Sequence, residues 1–299
     1  MQPDIIQKYN HPVPRYTREL AAHFPAYVNS LNLRKPDGTP LSADNYLDYI
    51  KSEIIRAAQI AKNAGADIPD SIGFSFSSSA GGMFAAPING RSSESHQARL
   101  NGRVVTDEGK ANGGVRPQGM PQGGMQGGMP PMAGRPMRGR MGGKQVGEYI
   151  TDLDMQKYLN YVVSTQALKG VPAFDSQIEG INSASGENEE FGDETGNSVN
   201  FTNFTAQKNG TALNDAIRKN VRLMNPMSFI GDSNTTIAQH WYIRHGARDR
   251  DTAFPVPINF ATRLQNAGKD VNFLLAWNRP HSGDYALDEL FEWIAGIVK

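Results

Sequence analysis

The stretch that most restricts the fold is the last seventy or so residues, where apolar and polar runs alternate in a fixed order. HWYIRHG at 240–246 is a bulky strand closing on a glycine, ARDRDTAF is polar, and PINFATRLQNAG at 257–268 has helical periodicity with Gly268 as its stop. VNFLLAW at 271–277 is a continuous apolar strand, NRPHSGDY is polar again, and ALDELFEWIAGIV at 286–298 is an amphipathic helix. A strand without polar alternation belongs in a sheet covered on both faces. The pattern therefore predicts a right-handed βαβ crossover with parallel strands, which puts both polar loops at the C-terminal edge of the sheet. Ligands and catalytic groups of open α/β sheets collect at that edge.

Those loops carry an acid and a base. Asp249 lies in the first and His281 in the second, 32 residues apart, about the length of one βαβ repeat. Neighbouring parallel strands are roughly 5 Å apart, so the two side chains can meet through a hydrogen bond. An acid so placed fixes the imidazole tautomer and stabilises the imidazolium formed when the histidine takes a proton from a nucleophile. Acid then histidine, each after a late strand, is the tail of the α/β-hydrolase order Ser, Asp, His. An Asp and a His on polar loops are more often simply solvated, and spacing alone leaves both readings open.

Upstream the chain reads as helical. Residues 16–32 align Leu20, Ala21, Phe24, Val28 and Leu31, and residues 43–64 align Leu47, Ile50, Ile54, Ala58 and Ala61 between a Ser42 cap and a Gly65 stop. IGFSFS at 72–77 alternates like a short strand, Thr151 with Asp154 suggests a capping box for a helix through Leu168, and a further helix is predicted over 211–223. Between them, residues 113–143 hold 11 Gly, 5 Pro and 6 Met in 31 positions with no acid, so a disordered low-complexity insertion is expected there, widened upstream by the Ser/Asn/Gly-rich run 83–112.

Composition excludes some chemistries. With no cysteine there is no disulfide, thiol nucleophile or Cys-ligated metal centre. A formal net charge of zero argues against a generally basic nucleic-acid binder, and no apolar run reaches the roughly 18 residues of a membrane helix. The neutrality is a sum of unlike regions, since Arg116, Arg135, Arg138, Arg140 and Lys144 give the insertion and its edge a local excess of positive charge. The N-terminus as written has no basic segment followed by an apolar one, hence no secretory signal.

WYIRHGARDRDTAFPVPI and AWNRPHSGDY, taken with ALKGVPAFD at 167–175, GENEEFGD at 186–193 and HFPAYVNSLNL at 23–33, resemble the bacterial tannases, feruloyl-esterase-like galloyl ester hydrolases of the α/β-hydrolase superfamily. The resemblance runs from about residue 18 to the C-terminus and skips the insertion. It implies a serine esterase whose triad acid is Asp249 and whose base is His281, with Lys169, Glu187 and Asp251 contacting the galloyl hydroxyls. That set is chemically coherent, because phenolic hydroxyls donate to carboxylates and accept from an ammonium. Apart from the resemblance, Lys169 and Glu187 read as ordinary surface charges. No metal or organic cofactor is implied, and the expected partner is a phenolic ester substrate, with neither nucleic acid nor membrane.

The family's nucleophilic serine and oxyanion loop lie upstream of the matching region. The resemblance thus implies a C-terminal portion of an α/β hydrolase, inactive or nearly so by itself. Its expected layout is a first helical lid segment at 1–76, the insertion at 77–148, a second lid segment with the substrate loop at 149–230, and the triad-bearing strands and helices at 231–299. Such a portion should expose apolar surface where the rest of the sheet would pack. Ser79, in SSSAGG, shares some of the family's elbow motif, but Pro87 and Gly90 follow where a helix must supply the turn, so it reads as a loop serine. Two further readings stay open: a non-catalytic chain that pairs with a separate serine-bearing half, and a hydroxycinnamoyl esterase. His240 and His245 bracket a strand without a third metal ligand, and Glu187, Glu189, Glu190, Asp193 and Glu194 lack the spacing of a calcium loop. Trp241, Trp277 and Trp293 are expected in the core.

Overall fold

The computed structural model describes residues 15–78, 148–164, 190–191 and 199–298. Helix α1 (Arg15–Ser30) leads to α2 (Tyr46–Asn63), a 3-10 turn (Asp70–Ile72) and strand β1 (Phe74–Ser77). Strand β2 (Tyr149–Leu153), α3 (Met155–Val162), α4 (Asn203–Lys208) and α5 (Asp215–Met224) follow, with a second 3-10 turn at Pro226–Ser228. The chain ends with β3 (His240–Gly246), α6 (Pro255–Asn266), β4 (Asp270–Ala276) and α7 (Leu287–Ile297). No helix of the described residues is long and apolar enough to cross a membrane.

The final four elements are those expected, within two residues at each boundary. Strands β3 and β4 pair in parallel, from His240 against Asp270 to Gly246 against Ala276. Mixed helices and strands around this parallel pair make the class α/β. Gly65 at φ +96° and Gly268 at φ +72° stop α2 and α6 in the left-handed region, as their positions suggest.

Three local expectations are corrected. Helix α2 starts at Tyr46, not after a Ser42 cap: Asn45 Oδ1 accepts from the Ser42 amide at 2.9 Å, so the two residues close a turn before the helix. Thr151 is in a strand, and Asp154 is itself the cap of α3, accepting from the amides of Gln156 and Lys157 at 2.9 and 3.2 Å. The apolar residues assigned to that helix are nonetheless inside, with Leu153, Tyr158, Leu159 and Val162 all buried. The tryptophans are only partly buried; Trp277 packs against the core, while Trp241 and Trp293 meet Phe260 and Tyr242 nearer the surface.

Strands β1 and β2 form an antiparallel pair, Phe74 against Leu153 and Ser77 against Tyr149, with an irregularity between Ser75 and Phe76. The low-complexity run thus lies in the connection of this pair and falls outside the described residues; the helix expected to reach Leu168 instead ends at Val162, with Val163 as its C-cap.

One hydrophobic core joins the upstream helices to the C-terminal unit. Val28, Ile50, Ile54, Ala58, Leu153, Tyr158, Ile258, Ala261, Leu274 and Leu275 belong to a single buried cluster. Two tyrosines one helical turn apart on α2 reach two polar residues one turn apart on α6. Tyr46 Oη donates to Asn259 Oδ1 at 2.6 Å, and Tyr49 Oη lies 3.1 Å from Thr262 Oγ1. All four are buried, and pairing them removes the cost of leaving a polar group dry and unbonded, about 1–3 kcal/mol each. Burial pushes the Tyr49 phenol up to about 12, which keeps it a neutral hydrogen-bonding partner. Arg56 of α2 also donates to the Phe273 carbonyl of β4 at 2.8 Å.

Candidate functional site

Parallel pairing of β3 and β4 brings their C-terminal loops side by side, and backbone hydrogen bonds join them. The Ala247 amide donates to the Ala276 carbonyl at 2.8 Å and the Arg248 amide to the Arg279 carbonyl at 2.9 Å. The approach is so close that a Cβ on Gly246 would lie 2.2 Å from the Pro280 carbonyl oxygen and 2.4 Å from that of Arg279. The glycine that closes β3 is therefore required by the loop carrying His281.

Asp249 organises its own loop. Its Oδ1 accepts from the amides of Asp251 and Thr252 at 2.8 and 2.9 Å, the side-chain-to-backbone turn for which aspartate is suited. Those bonds orient the carboxylate and leave Oδ2 aimed across the gap, where it meets His281 Nδ1 at 3.0 Å. Asp249 is 7% exposed, whereas the His281 side chain is 49% exposed, so the pair joins a dry acid to a reachable base. With Nδ1–H donating to the carboxylate, Nε2 is the proton acceptor.

Asp251 stands on the same side, with a carboxylate oxygen among a group of ligand atoms from Asp249, Asp251 and His281 that all lie within 4.8 Å of one another. Arg250 approaches it at 3.5 Å. Such a trio has the ligand types for a divalent cation, but Asp249 already takes two amides on one oxygen and an imidazole on the other. Of the five residues singled out in the sequence, Asp249, Asp251 and His281 are brought together, while Lys169 and Glu187 lie outside the described residues, as does Ser79.

Helix α3 supports both loops. Tyr158, fully buried, donates to the Ala247 carbonyl at 2.5 Å, and Tyr161 donates to Asn278 Oδ1. Arg248 donates to the same Asn278 oxygen at 3.0 Å while its guanidinium lies 4.8 Å from the Tyr161 ring centroid. A second imidazole stands behind the acid: His245 of β3 is buried, with Nε2 3.5 Å from Asp249 Oδ2. Burial holds its pKa below the usual histidine range despite the opposing pull of Asp249 and of the Thr252 backbone, so the ring is neutral near pH 7. The sequence leaves His245 to strand packing or to hydrogen bonding with the following loop, and the structure sets it against that loop, beside Asp249 and the Thr252 backbone. His240, the other strand histidine, pairs with Asp270 at 2.8 Å on the surface.

An acid and a base thus stand on neighbouring strand ends, one buried and one reachable, in a chain whose fold solved structures share. The tannase of Lactobacillus plantarum matches with a TM-score of 0.61 and 28% identity, over 94% of this chain and 45% of that one. The chain is tannase-like. A Fusobacterium nucleatum tannase matches at 27% identity and a TM-score of 0.61, over 95% of this chain and 46% of its own. A tannin acyl hydrolase in complex with ethyl gallate matches at 29% identity and a TM-score of 0.61, over 94% and 46%. The chain thus spans less than half the length of these tannases. No protein-family model and no curated protein matches it.

Proposed function

We propose that this chain carries the acid–base half of a serine carboxylic ester hydrolase acting on galloyl or related phenolic esters. The observation that supports this most is the 3.0 Å contact between Asp249 Oδ2 and His281 Nδ1 at the ends of parallel strands, within a tannase-like chain. In the reaction His281 Nε2 accepts the proton of a seryl hydroxyl as its oxygen attacks the ester carbonyl. The imidazolium, stabilised by Asp249, then returns that proton to the departing alcohol as the C–O bond breaks. A water hydrolyses the acyl-enzyme through the same histidine. Asp251, with Lys169 and Glu187, is assigned to the phenolic hydroxyls of the acyl group. Residues 1–76 and 149–230 are assigned to the lid, around the insertion at 77–148, and 231–299 to the hydrolase sheet.

The serine and oxyanion donors are assigned to the half of a tannase that this chain does not match. Two surface features support a missing complement, on the same polypeptide or another. Strands β3 and β4 pair with no third strand among the described residues, although a parallel sheet is stable only when extended and covered. Helix α7 and its cap also turn Leu287, Phe291, Ile294 and Val298 to solvent at 44, 64, 40 and 74% exposure, one apolar stripe at helical spacing.

The test is methyl gallate hydrolysis by the chain alone and by the chain joined to, or mixed with, the complementary half of a tannase. Turnover only in the reconstituted form is expected; turnover by the chain alone would overturn the assignment of the nucleophile. Methyl ferulate separates the acyl classes, since equal rates on both esters, unaffected by Asp251→Asn, would remove the galloyl assignment.

A further inference from the structure

We infer that Asn278 is a positioning residue for the acid–base pair: its side-chain oxygen, just past β4, takes donors from helix α3 and from the acid loop and so fixes where the loop carrying His281 leaves the sheet. This deepens the esterase reading and rests on it. Asn278 Oδ1 accepts from the Tyr161 hydroxyl and from Arg248 Nη1, the latter at 3.0 Å. A guanidinium can only donate, so the atom facing it is the amide oxygen and not the amide nitrogen, and the Tyr161 hydroxyl on that same atom donates as well. Both lone pairs of the oxygen are thereby used. The Arg248 guanidinium in turn lies 4.8 Å from the Tyr161 ring centroid, so the three side chains close on one another.

The backbone shows why the loop needs an anchor there. Asn278, Ser282 and Ala286 have φ of +56°, +56° and +66°, three of the four non-glycine residues with positive φ among the described residues. A loop with three such residues runs against local steric preference, and contacts at its ends must hold it. At the far end the Tyr242 hydroxyl donates to the Ala286 carbonyl at 3.3 Å; at the near end stands the Asn278 clasp. Asn278 is three residues before His281 and Arg248 is one before Asp249, so their bond ties the stem of the base to the stem of the acid. It lies beside the backbone bond from the Arg248 amide to the Arg279 carbonyl. What it protects is the 3.0 Å contact of Asp249 Oδ2 with His281 Nδ1, and a misplacement of about 1 Å in such a pair can cost about 10² in rate. Asparagine meets both demands of the position: it enters the left-handed region more readily than most side-chain-bearing residues, and it carries an acceptor close to the backbone.

The test compares three variants of the 299-residue chain, each joined to the complementary half of a tannase. Asn278→Gly takes up φ +56° without strain, so it deletes the acceptor and spares the backbone. Asn278→Asp returns an acceptor oxygen to both donors. Tyr161→Phe removes one donor and keeps the ring. Nitrogen NMR at about pH 8.5, where an ordinary histidine is neutral, reads the His281 tautomer. Expected are the Nδ1–H form in the wild type and in Asn278→Asp, and a mixture of both tautomers in Asn278→Gly. On methyl gallate, kcat should fall about tenfold in Asn278→Gly with KM within about twofold, and Asn278→Asp should recover most of the loss. Tyr161→Phe should shift the tautomer and kcat less, in the same direction, and add little to Asn278→Gly when the two are combined, because both remove the same bond. It also carries the reading if the glycine variant fails to fold. An unchanged His281 tautomer in folded Asn278→Gly overturns the inference whether or not Tm falls, and so does a folded Asn278→Asp no better than the glycine variant. Because the tautomer is read without turnover, an inactive protein whose His281 tautomer shifts in Asn278→Gly refutes only the esterase reading.

Discussion

At the scale of single residues the site is a set of constraints on two loops, and each can be removed in turn. Asp249→Asn keeps the shape of the carboxylate but reverses the tautomer it imposes on His281; the reconstituted esterase should lose about 10³–10⁴ in kcat with little change in KM. Steady-state kinetics on methyl gallate measures this, and a loss confined to KM would contradict the assigned role. Gly246→Ala forces a Cβ into the carbonyls of Arg279 and Pro280, and backbone cannot yield as a side chain can. It should lower stability by about 1–3 kcal/mol and displace the His281 loop, read as a fall in Tm together with loss of the His281–Asp249 tautomer signal. His245 also makes stability depend on pH. Its folded pKa lies below that of the unfolded chain, so the unfolded state takes up the proton first. The contribution is complete above about pH 6.5 and declines as the pH falls below it, the ordinary histidine value. Denaturant titrations across that range should show the decline in the wild type and a flatter profile in His245→Gln.

At the scale of elements, two features govern how the site is held. Helix α2 meets the C-terminal unit through Tyr46, Tyr49 and Arg56, and its Ile54 is wholly buried in the shared cluster. Ile54→Ala should therefore cost about 2–5 kcal/mol, and hydrogen exchange should show β4 losing protection together with α2. Loss of protection in α2 alone would mean that the two fold independently. The β1–β2 pair is joined by about seventy residues, and replacing 79–147 with a short hairpin loop should raise stability by about 2 kcal/mol if that connection contributes closure entropy only. A loss instead would reveal packing made by the segment. β2 was also the element least readable in advance. TDLDMQKYLNYV carries helical spacing through Leu153, and only pairing with Phe74, on the far side of the long connection, draws Thr151 to Leu153 into a strand. A partner remote in sequence leaves no local periodicity to recognise.

At the scale of the molecule, the sequence by itself determined the strand–helix–strand–helix order at the C-terminus, the placing of Asp249 and His281 on the loops after the two strands, and the resemblance to tannases. Those are properties of local apolar periodicity, of turn residues such as Gly246 and Gly268, and of short motifs, and local signals survive in a linear string. The tertiary structure decided what depends on meeting: that the two loops are joined by backbone bonds, that Asp249 is dry while His281 is reachable, and that His245 stands against the acid. It also decided that Tyr158 and Tyr161 hold both loops from a helix some ninety to one hundred and twenty residues away in sequence. It further showed that α7, amphipathic in sequence, buries Glu289 against Arg244 and leaves its apolar stripe outside. The face of a helix that is covered is set by its neighbours, and burial, tautomer and coupling between charges are properties of an assembled environment that no residue carries alone.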